Sequence, residues 1–234
     1  MNFRKNLQPI DWSEIKLVVF DVDGTLYDQH ALRMRMVRDM LLHAILRRDL
    51  GFLFVIKTYR HIRERLGDAE VFDFESHLIA ETVETTGFSE EKVLTIVNEW
   101  IEERPLLYLM SCRFPSLTEL FAGLKRSGKI IGVFSNYPAH QKLVALGLAA
   151  DYVVSAQDDS IRLLKPHPKG LEFLMSKAGL TAPETLLIGD RTERDGFAAH
   201  RAGVQCLIRS PNPRNEWQTF TRFDDPIFSP LLSD

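Results

Sequence analysis

The apolar run Val18-Val19-Phe20 ends in two aspartates two positions apart, Asp21 and Asp23, followed by Gly24-Thr25-Leu26. An unbroken Val-rich run reads as a strand buried on both faces, as in a parallel sheet covered by helices. The carboxylates then fall at the strand's C-terminal end, where open α/β sheets carry their ligands. With a side-chain period of two, both point to the same side unless the turn at Gly24 bends the second away. Two anions this close repel and call for a cation or a shared proton.

The rest of the chain supplies the sheet that such a strand needs. Ile130-Ile131-Gly132-Val133-Phe134, Tyr152-Val153-Val154, Thr185 to Ile188 and Val204 to Ile208 are further strand candidates, with helical patterns between them. Strands alternating with helices imply right-handed crossovers and a doubly wound parallel sheet, an α/β fold. Between the first two strands lie some eighty residues with helical periodicity only. Val37, Met40, Leu41, Ala44 and Ile45 trace one predicted helical face. Phe52, Val55, Ile56, Tyr59, Ile62 and Leu66 trace a second. A third helix is expected across 75–86, and a fourth from Ser89 as N-cap, followed by Glu90 and Glu91. The expected division is a core of residues 1–28 and 111–234 with an inserted all-helical unit of 29–110. The tail from Pro211 shows no clear periodicity.

Four expected strand ends, or the loops after them, carry complementary polar groups: Asp21 and Asp23; Ser135 and Asn136; Lys165; Asp190 and Asp195. Carboxylates with one lysine and one hydroxyl suit a hard, oxygen-ligated cation beside a bound anion. Mg2+ takes one or two carboxylates together with phosphate oxygens and water.

This arrangement resembles the haloacid dehalogenase superfamily. Asp21-Val22-Asp23-Gly24-Thr25-Leu26 is similar to its first motif, Ser135-Asn136 to its second and Lys165-Pro166 to its third. Gly189-Asp190 with Asp195, after four intervening residues, is similar to its fourth. The helical insert resembles the family's helical-cap subclass, which includes phosphoglycolate phosphatases and β-phosphoglucomutases. The resemblance implies a Rossmann-like core and a Mg2+-dependent phosphatase acting on a small phosphate ester through an aspartyl-phosphate. It implies Asp21 as nucleophile and Asp23 as acid and base. Ser135, Asn136 and Lys165 would hold phosphoryl oxygens. Asp21, Asp23 and Asp190 would hold Mg2+, with Asp195 behind them orienting Lys165 or acting through water. Relatives that cleave carbon–halogen bonds lack the acid two residues after the nucleophile, so Asp23 favours phosphate chemistry. A phosphomutase and a non-catalytic binding protein on the same fold are the alternatives. Arg191 departs from the usual family pattern; it would fold outward or brace a carboxylate.

Composition limits the partners. The net charge of −3 gives no electrostatic case for nucleic acid. The apolar run 50–56 is far shorter than the roughly 20 residues of a membrane span. Cys112 and Cys206 lack metal or disulfide spacing, which suits a reducing, cytoplasmic setting, and no signal peptide is visible. A monomer or a homodimer is expected. The basic residues at 33, 35, 38, 57, 60, 61, 63 and 65 are expected mainly on solvated faces, with one or two facing the cleft to bind a carboxylate or second phosphate of the substrate. Phe52-Leu53-Phe54 would mark either an apolar substrate tail or a contact with another chain.

Overall fold

The computed structural model describes residues 8–212 and 216–232. Residues 1–7 lie outside the described residues. Parallel strands β1 (Leu17–Phe20), β2 (Ile130–Ser135), β3 (Tyr152–Ser155), β4 (Thr185–Gly189), β5 (Gln205–Arg209) and β6 (Gln218–Phe220) form one sheet in the order β3-β2-β1-β4-β5-β6. β1 is thus central, with Val19 opposite Gly132 on one side and Leu187 on the other. Its side chains alternate between two apolar layers. Val18 and Phe20 pack with Ile131, Val133 and Ile188, whereas Leu17 and Val19 pack with Leu187 and Ile208. Burial on both faces explains why this strand reads as an unbroken apolar run. It ends at Phe20, where the chain turns at Asp21.

Five helices separate β1 from the helix that leads into β2: α1 (Gln29–Arg47), α2 (Gly51–Asp68), α3 (Phe74–Thr86), α4 (Glu90–Val97) and α5 (Arg104–Cys112). The Asp28 carboxylate caps α1 by accepting from the His30 and Ala31 N–H groups, and the Ser89 hydroxyl caps α4. A wide π turn, Asn98–Glu103, joins α4 to α5. Pro105 follows it and has no N–H to donate, which loosens the helical ladder at that point. The two ends of the insert meet where Asp28 N donates to Cys112 O at 2.9 Å and Phe114 N to Leu26 O at 3.2 Å. Helices α6 (Leu117–Arg126), α7 (His140–Leu146), α8 (Lys169–Ala178) and α9 (Phe197–Ala202) cover the sheet, and α10 (Ser229–Leu232) closes the described chain.

Three expectations need correction. The inward face of α1 is Leu32 and Met36, with Met40 and Ala44 partly buried, while Val37, Leu41 and Ile45 stand exposed. α1 rests on α5, which selects one of two overlapping apolar stripes. Phe52, Val55 and Ile56 belong to the core, leaving Phe54 as the half-exposed member of that segment. The tail contributes β6, packed beside an aromatic cluster of Phe220, Phe223 and Phe228. Trp12 joins this cluster and donates its indole N–H to Ile227 O at 2.7 Å. Both cysteines are buried and free.

Candidate active site

The strand order reverses across β1, so the carboxyl ends of β2, β1 and β4 form the crevice that such sheets use for ligands. Asp21 follows β1 directly and is buried. Its Oδ1 accepts from Lys165 Nζ at 2.5 Å and its Oδ2 from Thr25 Oγ1 at 2.9 Å. The same ammonium donates to Asp195 Oδ1 at 2.6 Å and to Phe134 O at 3.1 Å. Asp195 is held in turn by the Asp190 and Arg191 N–H groups, at 3.2 and 3.0 Å from its Oδ2. A π turn over Thr192–Gly196 brings it back to β4. Gly189 makes room for it, since a Cβ there would lie 2.4 Å from the Asp195 Cβ.

Asp190 completes the cluster. Gly24, at φ +94°, lets the first turn pass so close that a Cβ would sit 2.2 Å from Asp190 Oδ2. Such a φ favours glycine. One carboxylate oxygen from each of Asp21, Asp190 and Asp195 lies within 4.8 Å of the others. Burial raises the pKa of Asp190 to about 8, with Asp21 and Asp195 adding to the rise. Burial raises that of Asp21 to about 6, against the pull of Lys165. For Lys165 burial acts downward, but Asp195 and Asp21 outweigh it and hold the ammonium charged. Asp190 Oδ1 is buried without a hydrogen-bond partner. A buried, unpartnered carboxylate oxygen among anions fits a hard divalent cation with oxygen ligands, such as Mg2+.

Asp23 has a different environment. Lys142 of α7 donates to both its oxygens, at 2.6 and 2.7 Å, and the Tyr27 hydroxyl donates to Oδ1. Burial opposes ionisation, yet Lys142 and Tyr27 prevail and hold the Asp23 pKa below its ordinary value. Asn136 lines the cavity, and its Oδ1 accepts from the Lys165 N–H at 2.8 Å. Ser135 is fully buried, and its hydroxyl accepts from Tyr137 N at 3.2 Å.

Sequence reasoning missed Lys142, Arg194 and the role of Arg63. Arg63 is buried rather than solvated. It donates to the Asn136 carbonyl, and its guanidinium lies 4.2 Å from the centre of the Tyr137 ring. Arg194, also buried, reaches Glu64 and Asp68 of α2, each at 2.7 Å. Arg191 braces Glu64 and Glu193, at 2.9 and 2.8 Å. The usable clue to Lys142 was a lysine beside Leu143 and Leu146, one helical turn into α7.

A cavity of about 490 Å³ lies over these groups, bounded by the sheet end on one side and by α1, α2 and α5 on the other. Residues 15–203 match the family model for haloacid dehalogenase-like hydrolases. The chain belongs to that family. Haloacid dehalogenase-like relatives include the glyceraldehyde 3-phosphate phosphatase of Methanothermobacter thermautotrophicus, 26% identical over 199 residues that cover 83% of this chain and 85% of the relative. Phosphoglycolate phosphatase 1 of Pseudomonas aeruginosa is 27% identical over 199 residues, covering 82% and 68%. Among solved structures, the 2-haloacid dehalogenase of Pseudomonas syringae has a TM-score of 0.60 at 20% identity, covering 89% of this chain and 94% of that one. CbbY of Rhodobacter sphaeroides, in complex with phosphate, has a TM-score of 0.60 at 18% identity, covering 90% and 96%. At these identities the two structures speak for the fold. No described helix is long and apolar enough to cross a membrane.

Proposed function

We propose that the protein is a Mg2+-dependent phosphatase of a small phosphate monoester, with residues 29–110 acting as a helical cap over the α/β core. The observation that carries this reading is the cluster itself: Asp21, Asp190 and Asp195 share one small volume, and Lys165 bridges Asp21 and Asp195. The phosphatase names of the relatives point the same way.

Asp21, Asp190 and the Asp23 backbone would hold the cation, which when bound screens the negative charge of the phosphoryl group. An Asp21 carboxylate oxygen attacks phosphorus in line, and an aspartyl-phosphate forms as the bond to the leaving oxygen breaks. Anion attacks anion here, so the Lys165 ammonium offsets the repulsion by staying charged. The leaving oxygen takes a proton from Asp23. Water then attacks the same phosphorus, gives its proton to Asp23, and the bond to Asp21 breaks to return the carboxylate and inorganic phosphate. Lys142 and Tyr27 favour the ionised form of Asp23. A dianionic phosphate arriving beside it favours the protonated form needed to start. The Asn136 side chain and Lys165 take phosphoryl oxygens. Ser135 joins them by turning its hydroxyl away from the Tyr137 N–H.

A screen of phosphorylated metabolites with Mg2+ and with EDTA tests this reading. Phosphate release that needs Mg2+ and is lost in Asp21→Asn supports it. Release unchanged in Asp21→Asn, in protein freed of other phosphatases, refutes it.

A further inference from the structure

The cavity has two chemically distinct ends. Charged groups gather at the sheet end, while the opposite side has an apolar stretch on α1 and α5, with Arg60 and Glu64 of α2 beside it. Leu32, Met36, Val37 and Met40 of α1 line it together with Ile101 and Pro105. The four α1 residues recur at i, i+4, i+5 and i+8, which is one stripe along the helix. Leu32, Met36, Ile101 and Pro105 are buried. Val37 stands at the mouth of the cavity with 47% of its surface exposed, and Leu41 and Ile45 continue its row outward along the helix at 58% and 72%. Two cations stand beside the apolar stretch, Arg33 of α1 and Arg60 of α2. Arg33 also lines the cavity, but its guanidinium is engaged by Gln29 Oε1 at 2.8 Å.

We infer that the leaving group of the substrate is an apolar chain, so that the protein hydrolyses an amphipathic phosphate monoester of the alkyl or prenyl type. This rests on the phosphatase reading above and adds to it what lies beyond the scissile bond. A phosphate held at Lys165 and Asn136 places the ester oxygen near Asp23 and directs its carbon chain toward Met36 and Met40. Flexible methionines suit a chain without fixed shape. Each methylene that leaves water for such a wall is worth up to about fourfold in affinity.

The test is kcat/KM for ethyl, butyl and hexyl phosphate, below their micellar concentrations and with Mg2+, beside phosphoglycolate and p-nitrophenyl phosphate. Calorimetry with the matching alkylphosphonates, which are not hydrolysed, reports binding independently of turnover. The expected result is a rise of about tenfold or more in kcat/KM from ethyl to hexyl, with phosphonate affinity rising in parallel. In Met40→Gln, a partly exposed helix position where glutamine is well tolerated, the hexyl-to-ethyl ratio falls at least fivefold; in Leu94→Gln, away from the cavity, the ratio stays. A flat series, a slope that survives Met40→Gln, or a tenfold preference for phosphoglycolate over hexyl phosphate overturns the inference while leaving the phosphatase intact. Phosphonates that tighten with chain length while no ester releases phosphate keep the apolar arm and remove the hydrolysis.

Discussion

The ammonium of Lys165 lies 2.5 Å from Oδ1 of Asp21, although 144 residues separate them in the chain. Both are buried, and Asp195 shares the same ammonium at 2.6 Å. Removing one partner of a buried ion pair costs about 3–5 kcal/mol, because the other charge stays buried without compensation. Lys165→Met is therefore expected to lose stability on that scale in urea unfolding, along with activity. Asp21→Asn keeps a polar group of the same shape for Thr25 and Lys165. It is expected to stay folded while phosphate release falls by about 10⁴-fold or more, as for loss of a nucleophile. Loss of less than tenfold in Asp21→Asn would remove it from the reaction.

Lys142 offers a test of acid catalysis. It holds the Asp23 pKa down, so Lys142→Met raises the proton affinity of Asp23. A general acid works only while protonated, so the basic limb of kcat/KM for an alkyl phosphate is expected to move to higher pH. The profile for p-nitrophenyl phosphate, whose leaving group needs no proton, is expected to stay in place. Equal movement with both substrates would mean that Asp23 does not protonate the leaving oxygen.

Arg191 and Arg194 both reach Glu64 across the cleft, but burial separates them. The Arg191 and Glu64 side chains are 40% and 49% exposed, whereas Arg194 is only 5% exposed. An exposed pair contributes about 0.2–1 kcal/mol. A buried guanidinium also packs and satisfies carbonyls, including Lys165 O at 3.2 Å. Arg191→Ala is expected to change unfolding free energy by less than about 1 kcal/mol, and Arg194→Ala by about 1.5–3 kcal/mol, the scale of lost hydrogen bonds to a charged group. Equal effects would show that burial does not decide the difference.

The acidic cluster makes the metal-free protein sensitive to alkali. Asp21 and Asp190 have folded pKa values of about 6 and about 8, above the ordinary value of 3.8. Between 3.8 and 8 the folded state therefore binds more protons than the unfolded chain, and stability falls as pH rises. In EDTA the Tm is expected to drop from pH 5 to pH 9. Added Mg2+ is expected to raise it most at the alkaline end, where the cation no longer competes with protons. A Tm that rises with pH in EDTA would contradict the raised pKa values.

What could be read from the sequence had local causes. β1 and the polar groups at its end sit in one short stretch, as do Ser135-Asn136 and Gly189-Asp190, and each shows as an apolar run broken by polar residues. The partners of Lys142 and Arg194 could not be read because they come from far away, Asp23 at 119 residues and Glu64 at 130. The inward face of α1 was misjudged because two apolar stripes overlap there, and only contact with α5 chooses between them. β6, three residues long, takes its meaning from the hydrogen-bonding edge of β5 and not from its own pattern.

The central position of β1 has a consequence for the chain during synthesis. β1 leaves the ribosome first, yet its neighbours β2 and β4 begin at residues 130 and 185. Until both arrive, the most apolar strand of the sheet carries open edges, the state in which strands recruit wrong partners. The helices of residues 29–112 emerge during that interval. A nascent chain of which fewer than 165 residues have emerged would thus hold Asp21 with neither its counter-charge Lys165 nor its second flank β4, and a ribosome pause at that stage should be the point of greatest dependence on chaperones.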